Sequence, residues 1–272
     1  MRDEWVSHCL ALSAREADLY SGCRKVLRGI SIRFPELYDD DPIELSDAGY
    51  TRSKLTMLTK HYLHEESRDV ALQLWEKRCG QERYGSVSFT TFNHLIKGGS
   101  IDAKRSKRAS VFGPCIQSVS ITWVDKTHAE VDVFYRTTEL LKKFPADLVL
   151  LKDVLLKPFD FGTQSVGLTC HFANVTIHPM YFVTIIPHLG KGWERELDRL
   201  KELDRRFFDW LVKWTGRYVL PEHHRGIAKF SQALRVQKDA MARLTDLKHL
   251  REYLRANHPG YRNDYEEDED DD

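Results

Sequence analysis

Apolar residues recur at helical spacing over positions 3–29, where Trp5, Cys9, Leu12, Leu19 and Cys23 share one side. Ser13 followed by Glu16 offers a cap for a second helix within that span. The pattern dissolves between Ile30 and Tyr50. Pro35, Pro42 and the run Asp39-Asp40-Asp41 predict a surface loop there, with the triple acid as a solvated turn rather than a cation site. A strong helical period returns over 52–78, carried by Leu55, Leu58, Tyr62, Val70, Leu74 and Trp75, with a break near His64.

Alternation replaces it afterwards. A strand is predicted near 87–92, closed by the Gly98-Gly99 turn, and a basic loop carries Lys104, Arg105, Lys107 and Arg108. Residues 119–123 and 130–135 read as an antiparallel pair joined through Asp125-Lys126. Thr137 is expected to open a helix, which Pro145 either splits or enters at the first turn of its second half. A further strand pair is predicted over 165–172 and 175–186, dense in Val, Ile, Thr and aromatics. The clearest amphipathic helix spans 191–214, with Trp193, Leu197, Leu200, Leu203, Phe207, Trp210, Leu211 and Trp214 on one face and Gly216 as its stop. A charged helix follows over 226–256, and the acidic tail 259–272 is expected to be disordered.

Composition narrows the function classes. The 272 residues carry 42% apolar side chains, enough for a real core, and 41 basic against 41 acidic residues. That neutral balance argues against a nucleic-acid partner. No stretch approaches the roughly 18 apolar residues that cross a bilayer, and the charged N-terminus lacks a signal-peptide pattern. A cytoplasmic protein with no membrane partner is expected. Five widely spaced cysteines without a CxxC pair predict neither a disulfide framework nor a metal site.

One of them invites chemistry. Cys115 follows the Gly113-Pro114 turn, and Arg136 ends an apolar strand. A guanidinium near a thiol favours the nucleophilic thiolate, although a lone cysteine is more often a small buried apolar residue. Asp147 sits near a predicted helix start, where an acid also suits the helix dipole. Lys and Arg over 104–108 offer phosphate ligands or a plain solvated loop.

Four motifs in this order resemble the thymidylate synthase and deoxycytidylate hydroxymethylase family. Pro114-Cys115-Ile116-Gln117 resembles the family's Pro-Cys nucleophile with its nearby Gln. Arg136-Thr137-Thr138-Glu139 resembles its Arg-Ser-x-Asp. Pro145-Ala146-Asp147 stands where the family places Pro and a base-reading Asn. The stretch Phe172 to His178 resembles its Gly-Asp-x-His-x-Tyr strand once one residue is deleted. Upstream, Trp75 and Tyr84-Gly85 faintly resemble a Trp and a Tyr-Gly of the family.

The resemblance implies an α+β fold, a thymidylate-synthase-like mixed β-sheet flanked by helices, with residues 1–258 as one domain and a nucleotide-binding core about 84–188. It implies a homodimer. It makes Cys115 the nucleophile at C6 of a pyrimidine nucleoside monophosphate and 5,10-methylenetetrahydrofolate the one-carbon donor. Arg136 and Thr137 would bind the phosphate, joined by Arg105 or Arg108. Gln117, Asn174, Thr176 and His178 would complete the substrate site. Asp147 in place of Asn points to cytosine, because a carboxyl accepts from the amino group and, protonated, donates to N3. The expected activity is that of a dCMP or CMP hydroxymethylase. The alternative is a divergent relative that binds nucleotide or serves as a scaffold without turnover. Departures support the alternative: Ile116 replaces a His, Tyr135 replaces a Gln, Glu65 or Glu66 are the nearest stand-ins for the catalytic Glu, and the folate-closing C-terminal segment has no counterpart.

Overall fold

The computed structural model describes residues 1–48, 50–62, 65–78, 85–91, 115–162, 164–185, 188–189, 193–219, 249–250, 252–253 and 256. The expectations for the basic loop, for the Gly98-Gly99 turn, for the acidic tail and for most of the last helix fall outside them.

Helix α1 (Arg2–Ala14) buries Trp5, Val6 and Cys9, and the Trp5 indole donates to the Leu140 carbonyl at 3.2 Å. It ends well before the predicted position 29. Gly22, at φ +61°, turns the short β1 (Leu19–Ser21) into the long β2 (Arg24–Phe34). In that segment the β-branched alternation of Ile30 and Ile32 outweighs the helical spacing of Leu19 and Cys23. Part of the predicted loop is therefore strand, and Asp41 and Asp47 within the remainder bind the Arg2 guanidinium at 2.8 and 3.2 Å. Helices α2 (Arg52–Tyr62) and α3 (Glu65–Arg78) follow, and the expected break near His64 falls outside the described residues.

Strands β3 (Gly85–Thr90), β4 (Ile116–Trp123), β5 (His128–Glu139) and β6 (Ser165–Ile177) complete a six-stranded mixed sheet in the order β1-β2-β6-β5-β4-β3. Among the described residues only β5 and β6 run parallel, and their crossover carries α4 (Lys143–Leu150) and one π-helical turn, Leu151–Leu155. This is the α+β architecture expected. Phe144 of α4 packs on Phe34, Tyr135 and Phe172 of three neighbouring strands, anchoring the helix to the inner sheet face.

Two predicted boundaries move. Thr137 opens no helix. Its segment pairs with Asn174–Thr176 on β6, which satisfies the backbone, and the β-branched Thr137 and Thr138 suit a strand. The predicted strand pair over 165–186 is one continuous strand, followed by a 3-10 turn at Pro179–Thr184.

The cause of that second misreading organises the sheet. Buried positions alternate along β2, β5 and β6 until each strand takes one three-residue step: Leu27 to Ile30, Tyr135 to Thr138, and Phe172 to Val175. The steps lie in register, because Leu27 and Thr138 both pair with Val175, while Ile30 and Tyr135 both pair with Phe172. Between them Gly29 adopts φ +58°, a conformation that disfavours any side chain. The pleat thus changes phase along a line through Gly29, Ala173 and Arg136.

The helix predicted over 191–214 is two helices, α5 (Trp193–Leu203) and α6 (Arg205–Val219), and the second continues past Gly216. Asp204 divides them. Its carboxylate caps Phe207 N–H at 3.0 Å, accepts from Tyr20 Oη at 2.5 Å and pairs with the fully buried Lys25 at 2.5 Å. Lys25 also donates to the carbonyls of Ser13 and Arg15 near the end of α1.

The outer sheet face is polar and accessible. Arg33 pairs with Glu130 at 2.7 Å, and His171 bonds Asp132 and Ser31 at 3.0 Å each. Phe134 stacks on His171 yet remains 46% exposed. Among the described residues no helix is long and apolar enough to cross a membrane, and no group of three or more His, Cys, Asp or Glu is placed to hold a metal ion.

Candidate active site

The phase change gathers most of the residues that the sequence singles out. Cys115, half-buried, immediately precedes β4, and its carbonyl accepts from Arg136 N–H at 2.8 Å. Thiol and guanidinium therefore belong to directly adjacent residues of neighbouring strands. Thr137 pairs with Asn174 in the β5–β6 ladder, and Thr176 Oγ1 donates to the Thr138 carbonyl at 2.9 Å. Gln117 is the extra residue at the bulge in β4, and its carbonyl accepts from Thr91 N–H at 3.2 Å. Arg105 and Arg108 lie outside the described residues.

Asp147 occupies a different layer. It sits on α4, only 4% exposed, beside the Thr138 hydroxyl. Burial pushes its carboxyl up to about 7, against the opposing pull of Lys143 and Lys54. The charges acting on Asp147 are thus those of Lys143 and Lys54.

Glu139, the acid of the Arg-Thr-Thr-Glu stretch, is also buried. It accepts Lys142 N–H at 2.7 Å and His178 N–H at 3.1 Å, and desolvation still raises it to about 7. His178, at the end of β6, approaches Cys23 with Nε2 3.1 Å from Sγ. Burial, then the charge of Arg24, lowers this imidazole to about 4, so it is neutral at physiological pH. Its ring centroid lies 5.4 Å from that of Tyr181.

Beyond Tyr181 the cluster continues through residues that sequence reasoning missed. Lys142 Nζ stands 4.7 Å from the Tyr181 ring and 5.6 Å from the Tyr50 ring, and Lys54 Nζ stands 5.3 Å from Tyr50. Burial lowers both lysines and raises both tyrosines. Only the Lys142-Lys143 pair between apolar neighbours hinted at this. Cys23, Tyr50 and Lys54 come from distant segments and carry no local signal. The structure thus offers Cys115 and Arg136 joined through their backbones and, around the end of β5 and the start of α4, two buried carboxyls raised to about 7 with a set of ammonium and phenol groups near them. A separate cleft of about 590 Å³, lined by Tyr38, Lys152, Lys157 and Phe161 among others, includes none of the predicted site residues.

The fold and the site define an α+β protein with one kinked mixed sheet and a polar, partly buried cluster where the pleat changes phase. The sequence matches no protein-family model and no curated protein.

Proposed function

We propose that this chain is a pyrimidine-nucleotide C5 one-carbon transferase of the dCMP or CMP hydroxymethylase type. The observation that carries the reading is Asp147, a carboxyl held near pH 7 by burial, on the helix that follows the Arg136–Glu139 strand end. In its protonated form such a group donates to cytosine N3 and accepts from the C4 amino group, whereas the N3–H of uracil would oppose that donor.

In the proposed reaction the Cys115 thiolate adds to C6, which makes C5 the nucleophile. C5 would then bond to the one-carbon unit and lose its proton, and the carrier amine would depart with the former carbon–nitrogen electron pair to leave an exocyclic methylene. Water would add to that methylene to give the hydroxymethyl group, and the thiolate would leave C6 as the 5,6-double bond reforms. Arg136 and Thr137 hold the 5′-phosphate, with Asn174, Thr176 and His178 along the sugar. The donor implied by the resemblance, 5,10-methylenetetrahydrofolate, supplies carbon at the formaldehyde level. The rings of Tyr50 and Tyr181 suit a flat aromatic donor, and Lys54 and Lys142 suit its carboxylates. The same reading makes the protein cytoplasmic, and it makes it a homodimer joined through the open sheet face around Phe134.

A second reading, nucleotide binding without turnover, draws on Tyr135. At the position of the family's Gln this side chain is 2% exposed and stacks on Phe172 at 4.7 Å, so it serves the core rather than a substrate.

Titration calorimetry with dCMP, CMP and dUMP tests the proposed base preference. A cytosine nucleotide should bind at least about tenfold tighter than dUMP, because one mismatched buried polar group costs about 1–3 kcal/mol. Asp147→Asn should narrow or invert that ratio. Tighter dUMP binding by the unmodified protein would contradict the assignment.

A further inference from the structure

The cleft of about 590 Å³ outside the predicted site has the size of a small-molecule pocket, and its walls combine aromatic, charged and amide groups. The aromatic wall is built from Tyr38, Phe159 and Phe161. Tyr38 is 43% exposed, and its ring centroid lies 6.0 Å from that of Phe161. Trp75 packs edge-on against Phe159 and Phe161, and Phe89 stacks on Phe159, so close packing holds this wall from behind.

The charged groups come from one stretch of chain. The π-helical turn Leu151–Leu155 brings Lys152 and Asp153 to the cleft, and the segment after it adds Lys157 and Asp160. Single π-helical turns occur frequently at functional sites. Neither lysine forms an ion pair among the described residues, although both acids line the same cleft. Lys152 acts on Asp39 only through its longer-range field. Asp160 is partly engaged, accepting Gly162 N–H at 2.8 Å where the chain turns at φ +55°. Asp153 acts on the Tyr38 phenol, which burial and then this charge push up to about 12. At the edge, Gln164 donates from Nε2 to the Asp125 carbonyl at 2.8 Å, which leaves its Oε1 without a hydrogen-bond partner among the described residues.

Two ammonium and two carboxylate groups in one cleft cancel in net charge. A simple anion or a simple cation therefore gains little from the cleft as a whole. A ligand that carries both charges on a flat apolar body matches every wall. We propose that this cleft binds an aromatic zwitterion, either a free aromatic α-amino acid or a short peptide that contains one. The ring lies on Tyr38 and Phe161. The carboxylate takes Lys152 and Lys157 through charge-assisted hydrogen bonds, and the ammonium takes Asp153 and the Gln164 oxygen. This does not rest on the nucleotide assignment, since no residue of that site lines the cleft.

Titration calorimetry of the intact protein with four probes separates the contributions. L-Phenylalanine carries the ring and both charges. 3-Phenylpropionate lacks the ammonium, phenethylamine lacks the carboxylate, and L-alanine lacks the ring. L-Phenylalanine should bind at least about tenfold tighter than each of the others, the worth of one lost charge-assisted bond or ring contact. No binding of L-phenylalanine, or equal affinity for any probe that lacks one part, overturns the proposal. Tighter binding of phenylalanylglycine than of L-phenylalanine assigns the cleft to a peptide, and weaker binding assigns it to the free amino acid.

Lys157→Met alters an exposed residue and should weaken L-phenylalanine binding by about tenfold, while Lys157→Arg should retain it. Lys77→Met, at an exposed position of α3 outside the cleft lining, should leave it unchanged. An unaltered affinity in the folded Lys157→Met protein, or an equal loss in Lys77→Met, contradicts the proposal.

Discussion

Asp147 and Glu139 hold protons at a pH where exposed carboxyls have lost theirs, and this carries a sign. A carboxyl raised from about 4 to about 7 on folding favours the folded state most below about pH 4. That contribution is lost as pH rises to about 7 and is flat above. His178 works in the opposite sense, since its lowered value penalises folding as pH falls from about 6.5 to about 4. The difference between two proteins isolates the acid. In urea denaturation across this range, Asp147→Asn should gain stability relative to the unmodified protein as pH rises toward neutrality; parallel curves would show that Asp147 is ionised in the fold. At this scale the sequence exposed Asp147, Cys115 and Arg136 through local spacing. It hid Cys23, whose partner His178 lies 155 positions away. Tyr50 and Lys54 were equally hidden, because their environment exists only once α2 meets the end of β5.

Elements were legible where one period dominated and illegible where a tertiary contact overrode it. The hairpin of β4 and β5 followed from pattern. The phase change at Ala173 resembled a turn, because a three-residue step in burial mimics the end of a strand. The amphipathic stripe of 191–214 ran unbroken through Asp204, because the partner that places this acid, Lys25, sits on β2. The Lys25–Asp204 pair therefore joins the sheet, the end of α1 and the α5–α6 junction. Lys25→Met leaves a buried carboxylate without its cation, which costs about 3–5 kcal/mol. Chemical denaturation should show a loss of that size, and Asp204→Asn in the same chain should recover part of it while keeping the helix cap. A Lys25→Met protein within about 1 kcal/mol of the parent would show that the pair contributes little.

Across the whole molecule, buried residues from α1 to α6 form one continuous core on the inner sheet face. The outer face, with Phe134 exposed among Arg33, Glu130, Asp132 and His171, is left for the second copy that the proposed dimer requires. Sedimentation should give twice the 31.8 kDa chain mass, and Phe134→Lys should yield a folded monomer. A monomeric parent protein would remove the dimer. The mixed sheet was legible as a class from alternation and composition, but its strand order was not, since the β5–β6 crossover is set by packing on Phe144. The central claim concerns chemistry at C5, and tritium release from C5-labelled dCMP or CMP in the presence of a one-carbon donor tests it most directly. The account predicts release by the parent protein and none by Cys115→Ala. Absence of release from both nucleotides by the parent, or undiminished release by the variant, would contradict it.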